Sequence, residues 1–356
     1  MDFEFTEDQT LLADSTRRFL ADHAPLPYVR AHYSEPSVVD DTWRGLAGLG
    51  LTGMLAPETS GGAGLGLVEL ALPLGEMGRT VYPGPFAASA VAATSLLTDL
   101  APNDVSHEWL PRLATGSAVA TVGVTSARTA PISTDAGGAL HGQLTHVPDG
   151  MGAELILAVT ADAATVVAVT SAEPGVTVRP LETVDGSRKF ATVTFDGARG
   201  TVLSGAVAGA IRAGNDRFGV ACVLDGIGAA ERCLELALEY AEEREQFGRS
   251  IGSFQAVQHL CADMLRAIEL GRAVGYYAAW ACDAADATER HRAATMARAF
   301  AADSFYRVAA NAIQVFGGIG FTWEHDIHLY YKRLLTLQLL GGSAADHLEE
   351  LASTVF

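Results

Sequence analysis

The segment from Phe254 to Cys282 places Val257, Leu260, Met264, Ile268, Gly271 and Val274 at steps of three and four residues, the period of one buried helix face. One helix over that span is roughly 43 Å long at 1.5 Å per residue. A helix of that length needs partners of similar length, which an antiparallel bundle supplies. Helical periodicity starts at Asp216 and persists to the carboxyl end, so residues 206–356 are predicted to form a helical bundle.

The amino-terminal part is also helical. Thr6 followed three residues later by Gln9 is a capping-box pattern, and Leu11, Leu12, Phe19 and Leu20 recur at helical spacing behind it. Further on come a short amphipathic helix, a Gly-rich loop from Gly61 to Gly66 and a helix ending near Arg79. Residues 1–115 thus form a helical domain. From Ala118 the texture changes to short β-branched runs (AVATVGV, AELILAV, ATVVAVT, GVTVRP, KFATVTF) separated by Gly, Pro, Asp and Ser. No helical period interrupts them, which predicts a small antiparallel β-domain over 116–205 and argues against a parallel βαβ sheet. The fold class is mainly α with a central β-domain.

Charge and cysteine use narrow the function. The chain has 356 residues, 42 Asp and Glu against 24 Lys and Arg, and a net charge of −18, which repels a phosphate backbone and sets nucleic acid aside. A small anionic ligand would need a local cluster of cations or helix N-termini. Cys222, Cys233, Cys261 and Cys282 form no Cys-x-x-Cys and fall in predicted helix interiors, as reduced thiols of a cytoplasmic protein would. The first residues, MDFEFTEDQ, carry acids where a signal peptide has positive charge, and no run of 18 apolar residues suggests a membrane span. His325 and His328 lie three apart in EHDIH, but two histidines without a third ligand at recognisable spacing do not predict a metal.

Three strings carry a family likeness. REQFGRSIGSFQAVQHLCADM, residues 244–264, resembles the R-x-x-F-G-x-x-I-x-x-F-Q-x-x-Q-x-x-x-A-D-M stretch of the acyl-CoA dehydrogenases. QVFGGIGF, residues 314–321, resembles their Q-x-x-G-G-x-G, and PETSGGAGLG from Pro57 to Gly66, followed by EMGR ending at Arg79, resembles a third stretch. The resemblance implies the family's fold, FAD as cofactor, an acyl-CoA thioester as substrate and an oligomer, with an electron-transfer flavoprotein as a possible acceptor. It implies FAD contacts from Arg244, Phe247 and Gln255, and from Gln314, Gly317 and Gly318 toward a neighbouring subunit's cofactor. The residue chemistry agrees. A guanidinium and an aromatic ring meet at a turn, and two glycines let backbone approach a ligand. Taken alone, Gly317-Gly318 would equally suit a helix C-cap, and Arg244 a surface ion pair. For CoA the implied residue is Arg217 in GNDRFG, with Asn215 as a possible N-cap.

The departures from the family concern the chemistry. In the family a Glu in a Y-E-G-T string removes the proton beside the thioester; here the corresponding string is Leu339 to Ser343, with Gly341 at the Glu position. Some relatives place the Glu 26 residues before the Arg of R-x-x-F-G, which lands on Phe218. The acids nearest that second position are Asp216 and Asp225. Asp225 lies within VACVLDGIGAA, where burial would suit a carboxyl group to catalysis or to a purely structural role. In the β-region Thr125-Ser126-Ala127-Arg128 stands where the family has T-E-P-x-x-G-S-D. GQLTHVPDG places His146 and Pro148 at its flavin-facing aromatic and hydroxyl positions, and proline offers neither N–H nor hydroxyl.

These features leave three expectations: an FAD-dependent acyl-CoA dehydrogenase with a relocated base at Asp225 or Asp216; a non-catalytic subunit of a mixed complex with a paralogue; or a CoA-ester binding protein that lost the redox step. A homo-oligomer or a hetero-oligomer is expected accordingly.

Overall fold

The structure, a computed structural model, describes residues 4–100, 102–124, 132–135, 138–160, 165–340 and 342–355. Helices α1 (Glu7–His23), α2 (Leu26–Ala31), α3 (Asp41–Gly48), α4 (Leu67–Arg79), α5 (Thr94–Asp99) and α6 (Asp104–Ala114) come first, with a π-helical segment, Ala87–Ala93, leading into α5. Strands follow: β1 (Ala120–Val124), β2 (Ser133–Thr134), β3 (Ala139–Pro148), β4 (Leu155–Val159), β5 (Val166–Thr170), β6 (Val176–Leu181), β7 (Phe190–Arg199) and β8 (Thr201–Leu203). Helix α7 (Val207–Glu243) leads through a small hairpin, β9 (Glu245–Gln246) and β10 (Arg249–Ser250), to α8 (Gln255–Ala284), α9 (Ala287–Phe316), α10 (Ile327–Leu339) and α11 (Ala344–Val355). The chain is thus mainly helical with a small, chiefly antiparallel β-region. No described helix is long and apolar enough to cross a membrane.

The chain forms two compact units. One comprises Met1–Arg30, Ala71–Tyr82 and Gly219–Phe356. The predicted capping box is present: the Thr6 hydroxyl accepts from Gln9 N at 3.3 Å, and the Gln9 side chain accepts from Thr6 N at 2.9 Å. Helices α8 and α9 are joined by two residues and lie antiparallel, and α9 also packs on α10 and α11. Within this unit α4 meets α7 at backbone distance. A methyl group on Gly78 would sit 1.8 Å from the Asp225 carbonyl oxygen, and one on Gly228 would sit 1.8 Å from that of Gly75. Only glycine permits this approach. The EMGR string acts here through Gly78 and its two charged members. Arg79 pairs with Glu235 at 2.8 Å, and Glu76 accepts from Arg17 at 2.7 Å.

The other unit comprises Ala31–Leu70 and Pro83–Phe218. Its strands form two four-stranded sheets, ordered β1-β4-β5-β8 and β2-β3-β7-β6. Among the described residues all pairings are antiparallel except β1 with β4, which is parallel; the β2–β3 hairpin lies between the two in the chain. Strand β4 explains why AELILAV is apolar throughout. Ile156 and Ala158 pack into a core with Leu144, Val169 and Phe195, whereas Leu155, Leu157 and Val159 pack with Leu97, Trp109 and Leu113. A strand buried on both faces loses the polar alternation of a half-exposed strand.

Candidate functional site

The R-x-x-F-G resemblance folds into a tight arm at the carboxyl end of α7. Arg244 N donates to Tyr240 O at 2.9 Å, closing the last helical turn, and Ile251 N donates to Arg244 O at 2.8 Å. Phe247 and Gly248 have φ of 55° and 75°, both central positions of a hairpin turn that requires positive φ. Gly248 adopts this without cost, but Phe247 is strained and 93% exposed. Phe254 caps α8, with the Phe247 ring 6.2 Å from its centroid and the Arg249 guanidinium 4.0 Å over its face. Arg249 is a further cation of this arm, outside the R-x-x-F-G string, and its spacing of five before Phe254 is the sequence signal for it. The side chains of Arg244 and Gln255 are exposed, and no described residue forms an ion pair with the Arg244 guanidinium.

The second string ends α9. Gln314, Gly317 and Gly318 are exposed, and Gly317 terminates the helix with φ 64° and ψ −140°. The space beside both glycines is open: among the described residues, nothing beyond the adjoining backbone lies within 4 Å of where a first side-chain carbon would stand. The two strings meet through one aromatic pair. Tyr240, one turn before Arg244, stacks on Phe316, immediately before Gly317, with centroids 4.5 Å apart. The ends of α7 and α9 are thereby fixed side by side. The fit to a dinucleotide is good at this end of the bundle, with a cation, the exposed Phe247 ring, two amides and approachable backbone.

The candidate bases differ in setting. Asp225 is 5% exposed, and its carboxylate is held bidentately by Arg333: Nε donates to Oδ1 at 2.9 Å and Nη2 to Oδ2 at 2.8 Å. Arg333 Nη2 also donates to Tyr82 O at 3.0 Å. Val81, a β-branched residue at φ 48°, turns the chain after α4 so that this carbonyl faces Arg333. A carboxylate whose two oxygens both accept from a buried guanidinium is a fastener between α7 and α10. Asp216 is fully buried in the other unit. Gly341 lies outside the described residues, as does Thr125-Ser126-Ala127-Arg128.

Arg217 donates to Asp99 at 2.7 Å. The expected N-cap role of Asn215 is corrected: α7 begins at Val207, so GNDRFG lies in the helix interior and gains nothing from a helix N-terminus. The Ala- and Gly-rich run before it, SGAVAGAIRAG, lacks the bulky periodicity that would have announced the earlier start. In the β-region His146 sits at φ 55° on a bulge between Leu144 and Val147, and the Pro148 carbonyl accepts from the Thr121 hydroxyl at 2.5 Å. His325 and His328 acquire no third metal-ligating group among the described residues.

Comparison with known proteins agrees with this architecture. A profile of the acyl-CoA dehydrogenase N-terminal domain matches residues 6–117, and one of the acyl-CoA dehydrogenase C-terminal domain matches residues 193–356. The acyl-CoA dehydrogenase IpdE2 of Mycobacterium tuberculosis is 33% identical over 352 residues, 98% of each chain. The protein of the same name from Mycolicibacterium smegmatis is 32% identical, over 99% of this chain and all of its own. A chain of the ChsE4–ChsE5 complex from Mycobacterium tuberculosis superposes with a TM-score of 0.90 at 27% identity, covering 100% of this chain and 99% of that one. Fold, motif placement and full-length similarity thus converge, and the chain belongs to the acyl-CoA dehydrogenase family.

Proposed function

We propose that this chain serves the FAD-dependent α,β-dehydrogenation of an acyl-CoA thioester, an oxidoreductase activity on a CH–CH bond, with the paired ends of α7 and α9 holding the dinucleotide. The Tyr240–Phe316 stack carries the reading, because it joins two motifs 70 residues apart in sequence (Arg244 to Gln314) into one surface. In this reading the surface reaches a cofactor shared with a neighbouring subunit: the Arg244 guanidinium neutralises pyrophosphate, Phe247 offers an aromatic face, Gln255 and Gln314 offer amides, and Gly317 and Gly318 admit close backbone approach. Held there, FAD would supply the acceptor for the hydride leaving the carbon β to the thioester. Arg217, drawn to Asp99, remains the candidate for a CoA phosphate.

Proton removal is the weaker part of the chain's equipment. The Arg333 grip engages both carboxylate oxygens of Asp225, and Asp216, fully buried, is the other candidate base. That same grip favours a second reading, a subunit that completes a paralogue's flavin site while the paralogue supplies the carboxylate. The structural likeness to a chain of a two-protein complex supports it. Pro148, which has no N–H to offer a flavin, supports it too.

Anaerobic flavin bleaching by a panel of acyl-CoAs separates the two readings, measured on the chain alone and on the chain co-purified with a paralogue that carries the catalytic Glu. A yellow homo-oligomer that bleaches, and stops bleaching in Asp216→Asn, supports self-contained catalysis. A chain that is flavinated and bleached only beside its paralogue supports the mixed complex. No bleaching in either preparation overturns both.

A further inference from the structure

The turn between α9 and α10 carries a cluster that none of the flavin residues uses. Trp323 is 58% exposed there. The Lys332 ammonium lies 4.5 Å from its ring centroid and the Arg30 guanidinium 5.8 Å, while the His328 ring stands perpendicular to it at 4.5 Å. His328 occupies the first turn of α10, a helix of 13 residues whose N-cap, Asp326, makes no side-chain capping bond. The imidazole is only 7% exposed, and neither ring nitrogen has a hydrogen-bond partner among the described residues. A buried polar ring without a partner is costly, by about 1–3 kcal/mol in typical proteins, and is uncommon.

The charges that face this ring define what would satisfy it. Lys332 on α10 and Arg30 on α2 are cationic; Asp326 at the start of α10 is anionic and pairs with Arg30 at 2.5 Å; His325 in the turn is the other titratable neighbour. Lys332 and Arg30 outweigh Asp326 by one charge. Burial and the two cations push His328 down to about 4, so near neutrality one ring nitrogen carries a proton and can donate. Two cations on one indole ring, with an unpartnered buried imidazole against the same ring at the first turn of a helix, are features of an oxyanion site.

We propose that the Trp323 corner binds an oxyanion of the phosphate type, held by His328, Lys332 and Arg30 at the N-terminus of α10. The site does not rest on the flavin reading and uses none of its residues.

Sulfate is the probe, because its charge is constant across the useful pH range. It is titrated into the full chain against sodium chloride at matched ionic strength, with tryptophan fluorescence as the readout. Trp43 and Trp109 are buried and Trp280 is half-buried beside Tyr277, so Trp323→Phe identifies the reporter and should abolish the response. A saturable response is expected with sulfate and not with chloride. His328→Phe and Lys332→Met should each weaken it about tenfold, the loss of one charge-assisted contact. Affinity should rise as pH falls from 7 to 5, since a bound anion favours the protonated imidazole. Arg244→Ala should leave the response unchanged, which keeps this site distinct from the flavin surface. Acetate tests the geometry: equal affinity for acetate would make the site one for carboxylates and overturn the phosphate assignment. Should a substituted chain fail to fold, the pH dependence of the unaltered chain decides. A response that chloride reproduces, or one indifferent to pH, would overturn the proposal.

Discussion

Tyr240 and Phe316 stack with centroids 4.5 Å apart and planes 26° from parallel, and this contact fixes the last turn of α7 against the last turn of α9. Tyr240→Ala should cost about 2 kcal/mol, combining lost apolar burial with about 0.5–1.5 kcal/mol from the ring pair. It should also lower flavin content, because Arg244 follows Tyr240 by one turn. Tyr240→Phe keeps the ring and should preserve both properties. Thermal melts paired with flavin absorbance check it; an unstable Tyr240→Ala protein with full flavin content would separate the stack from the cofactor.

Phe247 occupies a left-handed turn position while exposing its whole ring, a combination that costs the free chain stability. Asn is favoured before Gly in such a turn, so Phe247→Asn should stabilise the unligated chain by about 0.5–1 kcal/mol. Flavin affinity should fall in the same variant. A denaturant titration and a flavin titration read the two effects, and an unchanged affinity would remove Phe247 from the cofactor surface.

Asp225 and Arg333 form a pair with side-chain exposures of 7% and 3%. Removing one partner leaves a buried charge, so Asp225→Ala should destabilise by about 3–5 kcal/mol. The double change Asp225→Leu with Arg333→Met should recover most of that loss, as replacement of buried ion pairs by apolar groups often does. Chemical denaturation of the three proteins tests it. Full stability in Asp225→Ala would show that the pair does not fasten α7 to α10.

His328 gives a pH dependence with a definite sign. Its folded-state value, about 4, lies below the ordinary 6.5, so above pH 6.5 both folded and unfolded chains hold it neutral and nothing is lost. As pH falls through 6.5 the unfolded chain takes up the proton first, and stability declines until the folded state also protonates near pH 4. The loss should be no more than about 3.5 kcal/mol. Melting temperatures from pH 7 to 4 should therefore fall less steeply in His328→Gln than in the unaltered chain; parallel profiles would contradict the assignment.

Much of the architecture is legible in the sequence because single residues announce it. Thr6 and Gln9 mark the start of α1, Phe254 marks that of α8, and the β-branched runs mark the strands. The arm at Phe247-Gly248 is legible because an aromatic-glycine pair breaks two helical patterns. Three things are not. The start of α7 hides in a run of Ala and Gly that carries no bulky period. The parallel pairing of β1 with β4 depends on which strand arrives beside it, a non-local choice that no local pattern encodes. The setting of Asp225 depends on Arg333, 108 residues away, and on a glycine contact at Gly78. An apolar neighbourhood around an acid suggests catalysis and fastening equally; only the distant guanidinium distinguishes them.

Flavin content per chain decides the cofactor's placement, measured on Arg244→Ala against the unaltered protein, each purified with its natural partners. A charge-assisted bond to pyrophosphate is worth about 1.5–3 kcal/mol, roughly ten- to a hundredfold in affinity. The folded variant should therefore lose most of its flavin on dilution and regain it at high added FAD. A folded Arg244→Ala protein that retains full flavin through dilution would contradict the placement of the cofactor at the paired ends of α7 and α9.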